Sequence, residues 1–233
     1  MARETILVVD DDEDIREIIT LYLEDENYHV ITANNGNEAL SSAFSANPDL
    51  IILDMVLPDL DGIEVCQQLR KKLYTPILFL SSKSTATDKY TGLIAGGDDY
   101  ICKPFDSLEL IARVKAHLRR NRILEKRNIA NNQTSIISHH NVRIDVSNYK
   151  VTVNREEVIL SPKEFQILAL LAQNPNTVFS NEQIYQSLWH SDSLGDYRTI
   201  MVHISNIRKK IEGDPKNPIL IQTVKGVGYK FAR

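Results

Sequence analysis

The chain has 233 residues, 42% of them hydrophobic and 25% charged, with a formal net charge of −4. That is length for two modest globular domains, and no apolar run approaches a bilayer span, which argues against a membrane protein. The charge is uneven: residues 1–120 hold 12 Lys and Arg against 21 Asp and Glu, a net of −9, and residues 121–233 hold 15 against 10, a net of +5. An acidic module joined to one that meets a polyanion would show this asymmetry, as would chance in two small domains.

Met1-Ala2-Arg3-Glu4 leads directly into a predicted strand, so no signal peptide is expected. Strand Ile6–Val9 precedes a helical pattern of Ile15, Ile18, Ile19, Tyr22 and Leu23, spaced for one buried face. Strand Val30–Ala33, helix Glu38–Phe44 and strand Leu50–Leu53 follow, then a loop Met55–Gly62 marked by Pro58 and Gly62. Next come helix Ile63–Lys72, strand Ile77–Leu80, a helix over about Asp88–Ala95 ended by Gly96-Gly97, and strand Tyr100–Cys102. The last helix opens on Asp106 with Glu109 three residues on, the pattern of a capping box. Five strands alternating with five helices predict an α/β fold: a doubly wound, parallel five-stranded sheet covered on both faces. Cys66 and Cys102 lie in apolar patterns without partner spacing and are read as reduced core residues of a cytoplasmic protein.

Residues 119–138 change character, from Arg119-Arg120-Asn121-Arg122 to a polar, Asn-rich stretch. We expect domains at 1–120 and 138–233 with a linker at 121–137, although Ile123–Lys126 has the composition to extend the preceding helix. The second half begins with β-like runs Val142–Val146, Tyr149–Val153 and Val158–Leu160. Ser161-Pro162-Lys163-Glu164 supplies a capping Ser, Pro at the first helical position and Glu at the third. Ser180-Asn181-Glu182-Gln183 opens a second helix with Ile184, Leu188 and Trp189 as core positions. Thr199–Glu212 forms a third, with Ile200, Ile204, Ile207 and Ile211 on one side. Ile219–Val224 and Tyr229–Phe231, joined by Lys225-Gly226-Val227-Gly228, read as a hairpin. Three helices and a terminal hairpin are the parts of an α+β winged helix-turn-helix domain.

The chemistry concentrates at the predicted strand ends. Asp54 ends Leu50–Leu53, Asp10 and Asp11 end Ile6–Val9, Ser81 ends Ile77–Leu80, and Lys103 ends Tyr100–Cys102. In a parallel sheet these groups meet at the carboxyl edge, where ligands of open α/β folds bind. Two carboxylates about 4 Å apart repel by roughly 4 kcal/mol at an effective dielectric of 20. A divalent hard cation, Mg²⁺ or Mn²⁺, relieves that repulsion. Its expected ligands are Asp11, Asp54, the backbone carbonyl near Val56 and water, with Asp10 holding a metal-bound water. Asp54 then serves as nucleophile toward phosphorus, giving an acyl phosphate. Lys103 would neutralise the phosphoryl oxygens, and Ser81 would donate a hydrogen bond to one. The cluster Asp10–Asp14 by itself also reads as an acidic turn starting a helix.

Val8-Val9-Asp10-Asp11, Leu53-Asp54-Met55-Val56-Leu57-Pro58 and Gly97-Asp98-Asp99-Tyr100-Ile101-Cys102-Lys103-Pro104-Phe105 together resemble a response-regulator receiver domain. The resemblance implies a sensor histidine kinase as phosphoryl donor to Asp54, and a cis Lys103–Pro104 bond. It also implies a switch in which Ser81 moves toward the phosphoryl group and Tyr100 fills the space left. Lys89, Asp98, Asp99, Glu109, Arg113 and Arg120 would pair across a symmetric dimer formed on phosphorylation. This chain has Ser81 where the family most often has Thr, so a methyl is missing from the switch.

Leu160-Ser161-Pro162-Lys163-Glu164-Phe165, the run Arg198–Lys210 and Thr223-Val224-Lys225-Gly226-Val227-Gly228-Tyr229 resemble the OmpR/PhoB output domain. The expected partner is double-stranded promoter DNA. The Thr199–Glu212 helix would enter the major groove with His203, Asn206 and Lys210 on its outward face. Asn206 would pair with adenine, while His203, Ser205 and Thr199 would reach bases or phosphate. Arg198, Arg208 and Lys209 would hold phosphates, beside Thr223, and Lys225 at the hairpin tip would reach the minor groove. Many relatives carry Arg where this chain has Ser205 or Asn206, which implies greater reliance on paired sites. The resemblance also offers the loop His190–Tyr197 as a surface for RNA polymerase. Two rival readings stand beside a regulator that is not an enzyme. One is a phosphatase acting through an aspartyl phosphate, disfavoured because Val56, two residues beyond Asp54, cannot move a proton. The other is a constitutive DNA-binding protein with a receiver used only as a scaffold.

Overall fold

The structure, a computed structural model, describes residues 3–82, 85–130, 136–189 and 198–232, with side chains described except at 86, 119–130 and 198. Contacts divide the chain into two compact units, Met1–Asn121 and Arg122–Arg233.

In the first unit β1 (Thr5–Val9), β2 (His29–Ala33), β3 (Leu50–Asp54), β4 (Ile77–Ser81) and β5 (Asp99–Cys102) alternate with α1 (Glu13–Asp25), α2 (Gly36–Ala46), α3 (Gly62–Leu69), α4 (Ala86–Ile94) and α5 (Ser107–Ala130). All strand pairs are parallel, in the order β2-β1-β3-β4-β5. The order reverses between β1 and β3, so their carboxyl ends frame the crevice where such sheets bind ligands. Every residue of β3 and β4 is buried. Aliphatic side chains on each face of β3 enter different core clusters, Ile51 and Leu53 on one side, Leu50 and Ile52 on the other. Burying each is worth about 1.5–3 kcal/mol, which pins Asp54 at the end of a rigid strand.

Local caps follow the sequence. Asp12 accepts the backbone N–H groups of Asp14 and Ile15 to start α1. Asp106 accepts those of Leu108 and Glu109. The Glu109 carboxylate accepts from Arg113, so we find only the Asp106 side of the expected capping box. Between the domains, the structure follows the alternative offered by Ile123–Lys126. Helix α5 continues through 121–130 to Ala130, because Ile123–Lys126 and its neighbours keep good helix formers beyond the receiver.

The second unit opens with an antiparallel sheet of β6 (Ile136–His139), β7 (Val142–Asp145), β8 (Lys150–Val153) and β9 (Glu156–Val158). Strand β6 is not apparent in the sequence pattern, since Ser138-His139-His140 breaks its apolar run. Helices α6 (Pro162–Gln173), α7 (Asn181–Trp189) and α8 (Arg198–Ile211) precede the hairpin β10 (Ile221–Val224) and β11 (Gly228–Phe231). Ser161 and Glu164 form a reciprocal capping box at α6. Ser180 and Gln183 do the same at α7. One core joins α6, α7, α8, the hairpin and the inner face of the four-stranded sheet.

Candidate functional site

Register builds the acidic site. Val9 lies opposite Leu53, so Asp10 follows beside Asp54; Ser81 lies opposite Cys102, so Lys103 follows at the same edge. The Lys103 Nζ donates to Asp10 Oδ2 at 2.6 Å and also to Asp54 Oδ2. Asp54 Oδ1 accepts the Val56 N–H at 2.9 Å, and Asp10 Oδ1 accepts that of Asp12 at 3.1 Å. Burial raises the Asp10 carboxyl above its ordinary value, against the opposing pull of Lys103. Burial alone would lower the Lys103 ammonium, but hydrogen bonds to Asp10 and Asp54 overcome it and hold it raised. Lys103 therefore stays cationic throughout the physiological range.

Asp10, Asp11 and Asp54 offer carboxylate oxygens within 4.8 Å of one another. Asp10 and Asp54 are buried and Asp11 is exposed, which leaves an open side. An all-oxygen donor set suits a hard divalent cation that keeps water ligands, so these residues fit Mg²⁺ or Mn²⁺. The peptide Lys103–Pro104 is cis. Ser81 is wholly buried, and the Tyr100 hydroxyl is hydrogen-bonded to it. Burial pushes the Tyr100 phenol up to about 12. Its ring already lies inward, against Phe79, with the Lys89 ammonium 5.9 Å from its centre.

The output helix departs from expectation. Ile200, Ile204, Ile207 and Ile211 enter the core as spaced. His203 and Asn206, expected on the outward face, are 0% and 5% exposed. They share one flank of α8 with Lys210, at i, i+3 and i+7, and that flank turns toward the other helices rather than to solvent. The Trp189 ring of α7 lies 5.9 Å from the His203 ring, and Lys210 Nζ donates to Glu164 of α6 at 2.6 Å. Arg208, expected at a phosphate, instead donates to the Ile221 carbonyl at 2.6 and 3.0 Å and to Thr223 Oγ1 at 2.9 Å. It braces α8 on β10, and burial lowers its guanidinium from the ordinary value. Lys209, Thr223 and Lys225 are exposed, and Thr199 and Ser205 half-buried. The Arg198 side chain and the loop His190–Tyr197 fall outside the described residues. Gly226, at φ +75°, makes the turn possible. Gly228 permits a close approach instead: a Cβ there would sit 1.9 Å from the Phe179 carbonyl oxygen, where Phe179 bridges Tyr229.

Residues 6–115 match the family described as response regulator receiver domain, and residues 155–231 match transcriptional regulatory protein, C terminal. The chain is 44% identical over 231 residues to the alkaline phosphatase synthesis transcriptional regulatory protein PhoP of Bacillus subtilis, covering 97% of this chain and 95% of that one. It is 40% identical over 228 residues to the DNA-binding response regulator MtrA of Mycolicibacterium paratuberculosis, with 98% of each covered. The solved structure of response regulator DrrB, a Thermotoga maritima OmpR/PhoB homolog, is 30% identical with all of both chains covered and a TM-score of 0.52. A RitR mutant is 26% identical, 98% covered each way, with a TM-score of 0.80. The chain belongs to the OmpR/PhoB family of response regulators. It joins a receiver domain to a DNA-binding, transcription-regulating output domain.

Within this response regulator the residues expected at a dimer face are largely engaged inside the chain. Asp98 is completely buried, accepting from Arg70 at 2.6 Å and from the Ile77 N–H at 2.9 Å. It ties α3 to the start of β4 and does not reach the surface at which a dimer pair was expected of it. Asp99 is buried against Arg113, which donates to both its oxygens at 2.9 and 3.0 Å, and lies 3.4 Å from His117 Nε2. Glu109 accepts from the same Arg113 at 2.7 Å. Lys89 is half-buried, and the Arg120 side chain falls outside the described residues.

Sequence reasoning missed several supports of the acidic site. Arg16 Nη1 donates to the Asp10 carbonyl at 2.8 Å. Asp59, in the loop after β3, accepts the N–H of Gly36 at 2.7 Å and of Asn37 at 2.9 Å, starting α2 from outside its own segment. Burial raises the Asp59 carboxyl, but the backbone hydrogen bonds, from Asn37 and Gly36 foremost, together outweigh it and hold it at about 2. A cap from a distant loop leaves no local spacing to find. Arg16 sits at helical spacing after the acidic cluster, but its role needs the backbone path of Asp10.

Proposed function

We propose that Asp54 is the phosphoacceptor and that its phosphorylation promotes dimerisation through the receiver and promoter binding by the output domain. The observation that carries this reading is the Lys103 ammonium bonded to both Asp10 and Asp54 beside Asp11. An Asp54 oxygen attacks the phosphorus of a phosphohistidine on a sensor kinase. The new O–P bond forms as the P–N bond breaks, and the departing imidazole takes its proton from solvent. Asp10, Asp11, Asp54 and the Val56 carbonyl would hold Mg²⁺ or Mn²⁺, which when bound offsets negative charge on the phosphoryl oxygens. Lys103 holds another of those oxygens, and Ser81 donates its hydroxyl to a third.

The Ser81–Tyr100 hydrogen bond supports a specific form of the switch. A phosphoryl oxygen competes for the Ser81 hydroxyl, so Tyr100 loses a partner and the coupling through Lys89 to α4 changes. Domains of 1–120 and 138–233 on either side of a segment at 121–137, a cytoplasmic location and contact with RNA polymerase belong to the same reading. Asp54→Asn is expected to abolish incorporation of labelled phosphate from a kinase or acetyl phosphate while the receiver stays folded. Persistent labelling of that variant would move the acceptor elsewhere.

A further inference from the structure

Helix α8 leaves a narrow arc of itself exposed. Ile200, Ile204, Ile207 and Ile211 fill the core, His203 and Lys210 turn to α7 and α6, and Arg208 turns to the hairpin. Between the hairpin side and the buried flank lie Met201, Ser205 and Lys209, spaced i, i+4 and i+8. At 1.5 Å per residue this row is about 12 Å long, close to the width of the major groove. Met201 is 53% exposed, a large apolar side chain in one row with Ser205 and Lys209 on a positively charged helix. No packing among the described residues accounts for an exposed apolar residue in such a place.

We infer that Met201 is a base-reading residue that selects thymine through its 5-methyl group. The inference rests on the DNA-binding reading and deepens it. A thioether has only a weak acceptor, so it makes no productive hydrogen bond to a base edge. The one base feature in the major groove that rewards an apolar contact is the thymine methyl. Ser205, with a hydroxyl that both donates and accepts, adds little discrimination beside it. Lys209 at the far end of the row holds a phosphate and sets register without reading sequence. The side chain flexes at three torsions, so it settles against a methyl without moving the helix.

The test uses the full chain, incubated with acetyl phosphate and Mg²⁺, at one fixed salt concentration. A duplex selected by the protein from a random pool is remade with each thymidine replaced singly by deoxyuridine, which removes only the methyl. One position in each half-site should bind about fourfold more weakly, the effect of returning a single methyl to water. Met201→Ala should bind the thymidine and deoxyuridine duplexes equally at that position, and Met201→Leu should restore the difference. Because Met201 is exposed, neither variant threatens folding. Indifference of the unaltered protein to every deoxyuridine, or undiminished sensitivity in Met201→Ala, overturns the assignment while leaving DNA binding intact. Failure to select any sequence overturns the DNA-binding reading itself.

Discussion

At the scale of single residues, Lys103 ties together two of the three carboxylates of the site. It is the only described cation bonded to both Asp10 and Asp54. Lys103→Met should slow phosphorylation by acetyl phosphate about 10²–10³-fold, the usual consequence of losing one charge-stabilising donor. Single-turnover labelling measures it; an unchanged rate would remove Lys103 from the phosphoryl site. Tyr100 makes a separate pH prediction. Its phenol stands at about 12 in the folded chain against an ordinary 10.0, so folding favours the neutral form. That contribution is whole below pH 10 and fades between about 10 and 12. Tyr100→Phe should flatten the alkaline fall of the receiver's urea midpoint over that window. The residue types at this site were legible, because acid, hydroxyl and ammonium each follow an apolar strand. Their partners were not, since Arg16, Asp59 and Arg70 act across loops and helices.

At the scale of elements, one glycine shows where the backbone, not a side chain, limits the site. A Cβ on Gly62, at the start of α3, would lie 2.0 Å from the Asp54 carbonyl oxygen. Gly62→Ala must therefore push α3 away from the end of β3, and should destabilise the receiver by about 1–3 kcal/mol. Urea unfolding followed by circular dichroism measures this, and a neutral outcome would show that the loop yields. The Asp59 clip fixes the same loop from the other side. With its carboxyl held at about 2, its contribution is full above about pH 4 and is lost as pH falls toward 2. Asp59→Asn should abolish that acid-side dependence of the receiver's midpoint. Strands, helices and most caps could be read from apolar periodicity and capping spacing. Strand β6 could not, and the continuation of α5 stood only as an alternative to the linker. A four-residue edge strand carries too few alternations, and a polar helix exposes no periodic face.

At the scale of the whole molecule, two compact units predict two separable behaviours toward cations. On the proposed function, Mg²⁺ held at Asp10, Asp11 and Asp54 would stabilise only the unit that holds those residues, by about 2.7 kcal/mol at a hundredfold excess over its dissociation constant. Calorimetry of the full chain should show one transition rising with Mg²⁺ and one unmoved, and Asp11→Ala should remove the rise. Both transitions moving together would mean that the units unfold as one. The amino-acid sequence by itself determined the two-part plan, the parallel sheet, and the edge at which Asp54, Asp10, Asp11, Ser81 and Lys103 collect. Those follow from strand-ending positions, which alternation in chain order makes local. Only the tertiary structure decided which polar side chains are spent inside. Asp98, His203, Asn206 and Arg208 all look like surface contacts in sequence. Their direction depends on which neighbouring element packs beside them, and a step of one residue along a helix, about 100° around its axis, exchanges a groove-facing residue for a buried one.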